Sequence, residues 1–382
     1  MGSSGIALRS NNQINYLNPA SYTATDTLSF LFDFGMNGFY NTYIADESSA
    51  TLGNFNIHHF AIAFPITKWW KASAGVSPYS SVGYNIKDPV NMVGIGAVDF
   101  LFDGNGGLNK FYLGNAVHLF NHLSIGLNMN YMFGYIYYAK QLEIISDNTI
   151  AIPRTENRLV IGDMMYQIGI QYNHVFSNKY FITVGSTFEN ESKLKTTSHF
   201  LSELYFPGRS ATVNDTIILS STYEILKETS KGSIIYPNNL GFGISMGIQN
   251  ILTATADYYM QDWSKSLIMG KSDSLVNSSS VHLGIEYTPS PNSIRSYLGR
   301  INYRFGGYFT NSYISIRSEQ ITDNGMTFGL GLPLRNTKTT FNIGFILGQR
   351  GTLKNDLLKE KYGIMHFGVT LHDIWFLKRK YD

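Results

Sequence analysis

The 382-residue sequence contains no cysteine. Disulfides, zinc thiolates and a cysteine nucleophile are therefore excluded, while the absence suits an oxidising compartment as well as a reducing one. Charge is scarce too. Asp, Glu, Lys and Arg make up 15% of the chain and the net charge is +2, against a usual charged share of about a quarter. So small a net charge gives no electrostatic footprint for nucleic acid. A third shortage is long apolar runs: none approaches the roughly 18 residues that a membrane helix needs. The opening "MGSSGIAL" lacks the basic and apolar regions of a signal peptide, and Ile6 stands where a myristoylation site needs Ser or Thr. The numbering is read as starting at or after a removed export signal.

Aromatic residues reach 14%, there are 36 glycines, and the mean hydropathy is −0.09. Few charges with many aromatics are awkward for a soluble protein. They suit a closed membrane barrel, where apolar and polar residues alternate and average hydropathy stays near zero.

The dominant period is two. From Leu123 to Tyr137 every second residue is apolar or aromatic, and Ser124, Gly126, Asn128, Asn130 and Gly134 lie between them. The alternation recurs around Met164–Tyr172, Leu240–Ile248, Phe341–Leu347 and Met365–Leu371. Such segments read as long strands with one greasy and one small, polar face. A soluble sandwich is the competing reading, but its outer faces should carry charge. Here the second face is mostly Gly, Ser, Asn, Gln and Thr, which suits a crowded lumen. Phe60, Leu127, Ile168, Phe242, Phe345 and Phe367 are expected to face lipid. Asn128, Gln167, Gly243 and His366 are expected to face the lumen.

Connections alternate between short (66–69, 118–122, 176–179, 334–338) and long and polar (42–52, 85–107, 144–156, 201–236, 264–277, 308–323, 350–361). Outer-membrane barrels do this, with short periplasmic turns and long external loops. The count between them is about 14 strands, with the eighth somewhere in 215–248, where Pro237 interrupts. Both termini then fall on the periplasmic side. Trp69, Trp70, Trp375 and Phe376 fit a periplasmic aromatic girdle. The division expected is a plug over 1–26, a transmembrane barrel over 27–376 and a basic periplasmic tail over 377–382.

The stretch "NQINYLNPASY" precedes the first strand and holds no charge. A barrel of about 14 strands is wide enough to need a filling, and an Asn-Pro turn at Asn18, Pro19 and Ala20 lets the segment fold up inside. The competing reading is a frayed terminus.

No enzyme chemistry is expected, and no catalytic residue, metal or cofactor. "GISMG" (243–247) matches G-x-S-x-G, but Ser245 sits in a period-two run instead of at a strand-turn-helix elbow. His58 and His59 are adjacent, so on a strand they point to opposite faces and cannot share a metal. "DGNGG" (103–107) lacks the residues of a P-loop or an EF-hand and reads as part of a loop.

"MGSSGIAL…YLNPASY" resembles the N-terminal hatch of the FadL-like (FadL/TodX) outer-membrane channel family. Met1, Gly2 and Gly5 match its opening, and Asn18, Pro19 and Ala20 its turn. Further similarities are "FPITKWWKASAGVSPYS" (64–80), "GNGGLNKFYLG" (104–114), "LGIEYTP" (283–289), "TFGLGLP" (327–333) and "WFLKRK" (375–380). The resemblance implies a 14-stranded barrel, a hatch in its lumen and uptake of hydrophobic compounds such as long-chain fatty acids. It also implies lateral exit through a kinked third strand. That strand is read as Trp69 to Tyr84, with Gly75, Pro78 and Gly83 as kink candidates, because Pro cannot donate to a ladder and Gly often marks a bulge. An ordinary bulge is the alternative. A fatty-acid carboxylate wants a cation. Arg300 and Arg304 are the candidates, or else they pair with lumen acids such as Asp33, Asp163 or Glu286.

Two functions stay open at this point. The leading one is an outer-membrane channel for hydrophobic small molecules. The other is a non-transporting barrel of the same fold, serving as a structural subunit of an outer-membrane assembly or secretion machine. The partners are then outer-membrane lipid with a hydrophobic ligand, or other outer-membrane proteins and lipoproteins.

Overall fold

The computed structural model describes residues 1–45, 48–93, 96–144, 151–177, 179–213, 216–272, 275–335 and 337–374. The strands in chain order are β1 (Ser29–Ala45), β2 (Ser48–Pro65), β3 (Trp70–Met92), β4 (Gly96–Leu119), β5 (Leu123–Ile144), β6 (Ile152–Phe176), β7 (Tyr180–Glu189), β8 (Ser192–Val213) and β9 (Thr216–Tyr236). They continue with β10 (Asn239–Ile248), β11 (Leu252–Gln261), β12 (Leu267–Ile268), β13 (Lys271–Ser272), β14 (Ser278–Tyr287), β15 (Asn302–Ile316), β16 (Glu319–Pro333), β17 (Thr340–Gly351) and β18 (Lys359–Ile374). All belong to one sheet. A closed antiparallel wall of 14 strands runs from β1 through β7, on to β10 and β11, then β14 through β18, which pairs back onto β1. The eighth wall strand is β10, and Pro237 falls in the joint between β9 and β10, where no ladder N–H is needed.

Alternation sets the two faces of this wall. Phe60, Leu127, Ile168, Phe242, Phe345 and Phe367 are all at least 39% exposed on the outside. Asn128 and Gln167 are 1% and 7% exposed, and the Asn128 amide donates to Gln167 Oε1 at 2.9 Å. The expected orientation therefore holds on every strand where it was stated. At the short turn 66–69, Trp69 is exposed and Trp70 Nε1 donates to Asn115 Oδ1 at 3.0 Å. Trp375, Phe376 and the tail 377–382 lie outside the described residues.

The wall is uneven in height. β3, β4, β5 and β6 run 23, 24, 22 and 25 residues, whereas β7, β10, β11 and β14 run 10 each. Most segments expected to be long loops are strand instead: 42–45 and 48–52, 85–92 and 96–107, 308–316, and most of 201–236. The reason is solvent. Beyond the hydrocarbon band no lipid-facing side is required, so backbone pairing continues while the apolar alternation stops.

The tall side carries an added hairpin. β6 pairs with β7 through Gln167–Phe176 and with β8 through Ile152–Ile161. At that fork Asp163 accepts from the backbone N–H of Lys195 at 3.0 Å and of Met164 at 2.8 Å, replacing the lost ladder bonds. β8 and β9 then extend the sheet, and Ile268 of β12 joins β9 at Ile234.

Two clusters fill the interior. Near the short-turn end, Ile14 and Tyr22 pack with Leu31, Ala61, Ala63, Tyr112 and Ala116. On the tall side, Met132, Ile161, Met165, Leu194 and Tyr236 pack with Tyr79 and Trp263.

Candidate functional site

The N-terminal segment lies against the inner wall, and its partners span the circumference. Gly2 N donates to Thr327 on β16 at 2.8 Å, and Gly5 N and Ile6 N donate to Asp257 Oδ2 on β11 at 2.5 and 2.8 Å. On β6, Gln171 Nε2 donates to Ile6 O at 2.7 Å. Asn18 has no exposed surface. Its Oδ1 accepts from Ala20 N at 3.0 Å and caps the 3-10 turn Pro19–Ala24. Its Nδ2 donates to Ile6 O at 2.7 Å. The turn needs bare wall beneath it. A Cβ on Gly126 would stand 2.4 Å from Pro19 C, and one on Gly169 2.0 Å from Asn18 Oδ1. Tyr22 Oη donates to Asn128 Oδ1 at 3.0 Å, and the Tyr16 ring packs 5.7 Å from His59 and 6.1 Å from Tyr112.

The wall opens between β2 and β3. Their pairing spans only Phe60–Pro65 with Val76–Lys71. Above it β3 pairs with β4 alone, and its register shifts between Pro78 and Ser80. Pro78 therefore sits at a bulge on a free edge, where a missing N–H breaks no bond. Gly75 has a different role: a Cβ there would meet Phe60 O at 2.6 Å and the Tyr112 ring at 2.7 Å. Gly83 has open space around it. The backbone that bends lies next door. Gly106, Gly107 and Gly134 have φ of +107°, +156° and +150°, which favours glycine. So "DGNGG" is not loop but strand β4, bent against Ser80.

Beside the opening lies a group of imidazoles that sequence reasoning placed apart. β1 pairs Gly35 with His59 and Met36 with Ile57, leaving His58 as the extra residue of a bulge. Both rings then meet on one side, Nδ1 to Nδ1 at 2.7 Å, with the His366 ring 5.0 Å from His58. Asp33 Oδ1 lies 3.4 Å from His59 Nε2. Gly35 provides the space, since a Cβ there would come 2.7 Å from His59 and 2.9 Å from His366. Among the described residues no His, Asp and Glu group is arranged to hold a metal. The same inner wall carries Tyr308 bonded to Tyr362, whose hydroxyl donates to Asp323 at 2.5 Å, and Arg350 paired with Asp323 at 2.8 Å. Above the opening, Tyr79 bonds Tyr236, Tyr236 abuts Trp263, and Trp263 stacks on Tyr313 at 4.2 Å.

Arg304 is on β15 and pairs with Glu286 at 2.5 Å, so its partner is one of the three acids considered. Arg300 does not share that strand: it closes the 3-10 turn Leu298–Arg300 just before it. Both line a polar cavity of about 620 Å³ at the short-turn end, with Arg9. Neither faces an apolar pocket. Ser245 is buried within β10, away from any turn.

The same fold appears in solved structures over nearly the whole chain. The Ralstonia pickettii toluene transporter TbuX is 11% identical with a TM-score of 0.64, over 97% of this chain and 96% of that one. The CymD monoaromatic hydrocarbon channel is 10% identical with a TM-score of 0.61, over 97% and 95%. A Pseudomonas aeruginosa FadL homologue is 9% identical with a TM-score of 0.61, over 97% and 96%. The fold is thus that of outer-membrane channels for hydrophobic compounds, and at these identities the likeness is one of fold. No curated protein matches the sequence. A family model does: BamG, over residues 1–382. The match spans the sequence from first residue to last, and the chain belongs to the BamG family.

Proposed function

We propose that this protein is a structural subunit of a larger outer-membrane protein complex, built on a FadL-like barrel whose lumen is kept closed. The observation that carries this reading is the lumen. A channel for hydrophobic compounds needs an apolar path. Residues 1–26 serve as a hatch across the short-turn end, His58, His59, His366 and Asp33 put polar groups on the inner wall, Asp323, Tyr362 and Arg350 add more toward its other end, and the Tyr79–Tyr236–Trp263–Tyr313 contacts reach across the tall side. The match to the BamG family supports membership of an outer-membrane complex. The short turns and both termini belong at the periplasmic side in this account, and the tall hairpins outside.

A second reading keeps its own observation. The short β2–β3 pairing and the bulge at Pro78 support a lateral exit for a hydrophobic, fatty-acid-like compound. Reconstituting the purified barrel in liposomes separates the two. The subunit reading expects neither ion leak nor uptake of a fluorescent fatty acid above protein-free vesicles. Saturable uptake that stops on stapling β2 to β3 overturns it in favour of the channel.

A further inference from the structure

The cavity at the short-turn end is unbalanced in charge. Its lining includes Arg9, Arg300, Arg304 and Lys338 against one carboxylate, Glu286. Glu286 is engaged by Arg304, and Lys338 reaches Asp26 at 2.6 Å. Among the described residues, the guanidiniums of Arg9 and Arg300 have no acidic partner. Among the described residues Arg9 donates to neutral groups alone, to Gln171 Oε1 and Thr23 Oγ1 at 2.9 Å and to Ser124 Oγ at 3.2 Å. Arg300 lies over the Tyr297 ring at 5.3 Å. Arg300 Nε and Arg304 Nη2 are both out of contact with solvent and have no hydrogen-bond partner among the described residues. A buried donor without an acceptor is costly, and a guanidinium fork matches a carboxylate.

The cations also sit apart. Arg9 is held by β5 and β6, while Arg304 is on β15 and Arg300 just before it. Four wall strands, β7, β10, β11 and β14, lie between β6 and β15, so five strand spacings separate the two, roughly 24 Å along the wall. One phosphate-sized ion cannot bridge that width. An extended chain can, and the cavity lining offers amides for its backbone, Asn173 on β6, Asn250 and Asn302 on β15 among them. We propose that this cavity is a docking site for an acidic peptide segment of a partner protein, which spans the mouth with carboxylates on Arg300 and Arg304 at one side and Arg9 at the other. The subunit reading explains why such a partner would be present. The binding itself is a property of the isolated barrel.

The experiment uses the purified full-length barrel in detergent micelles, where both ends are open, and fluorescence anisotropy. The probes are a labelled Glu-Glu-Gly-Gly-Glu-Glu peptide, its all-Gln counterpart and inorganic phosphate as competitor. The acidic peptide should bind at least tenfold tighter than the Gln peptide, and more weakly as salt rises. Arg300→Gln and Arg9→Gln should each weaken binding about tenfold, Arg300→Lys much less, and Arg300→Glu should abolish it. Heat-modifiable migration confirms that each variant is folded. Equal affinity for the two peptides, or no effect of Arg300→Glu in a folded barrel, overturns the proposal. So does displacement of the peptide by millimolar phosphate as readily as by unlabelled peptide, which marks a small-anion site. Peptide binding without any co-purifying partner would leave the site standing and count against the subunit reading alone.

Discussion

Removing the Asn18 side chain tests whether the N-terminal segment is a docked hatch. In Asn18→Ala the buried Ala20 N–H loses its acceptor, while Ile6 O keeps Gln171 Nε2 and Ile170 O keeps its ladder. The main loss is thus one orphaned donor, about 1–3 kcal/mol. Taking about 2 kcal/mol, the undocked population should rise about 30-fold, since each 1.4 kcal/mol is tenfold. The chain has no cysteine, so Ser21→Cys places a single thiol at a site 4% exposed, within the 3-10 turn. Its maleimide labelling rate in intact membranes reads the undocked fraction. The expected result is slow labelling in the Ser21→Cys background and about 30-fold faster labelling when Asn18→Ala is added, with heat-modifiable migration unchanged. Gly126→Ala should release the turn from the wall side. Labelling in the background as fast as at an exposed Thr51→Cys would refute the docked hatch, and so would indifference to both substitutions.

Leu127→Arg or Phe345→Arg should cost about 2–4 kcal/mol at the bilayer midplane and deplete the folded, heat-modifiable form. Asn128→Arg should spare the barrel but displace Tyr22, read as faster labelling at Ser21. Gly107→Ala should destabilise the bend, because its Cβ would stand 2.3 Å from Ser80 O at a φ of +156°; a lower unfolding temperature in detergent checks this. Glu286→Gln should strengthen binding of the acidic peptide by removing a competing carboxylate, measured by the same anisotropy titration.

The wall was legible because lipid imposes a rule on every second residue. Leu127 outward and Asn128 inward follow from that rule alone. It stops at the membrane edge, so the β8–β9 hairpin read as loop although its backbone is paired. The Asn18–Pro19 turn was visible because its chemistry is local. The His58 bulge was not: one inserted residue on β2 looks like any other in a period-two run, and only the pairing with Gly35 and Met36 reveals it. Gly75 and Gly83 read alike in the sequence, yet only Gly75 is pressed against a neighbour. The cationic mouth joins Arg9 to Arg300 and Arg304, nearly 300 positions away, and no spacing rule could bring those together.

The claim that most needs testing is that the barrel works inside a complex. A tag added to the protein at its native expression level, followed by mild extraction from its own membranes and quantitative mass spectrometry, measures this directly. The account expects a large assembly in which other outer-membrane proteins co-purify in fixed stoichiometry and survive a second sizing step. Recovery of the barrel alone, at the mass of a single 42.9 kDa chain in its micelle, would contradict it.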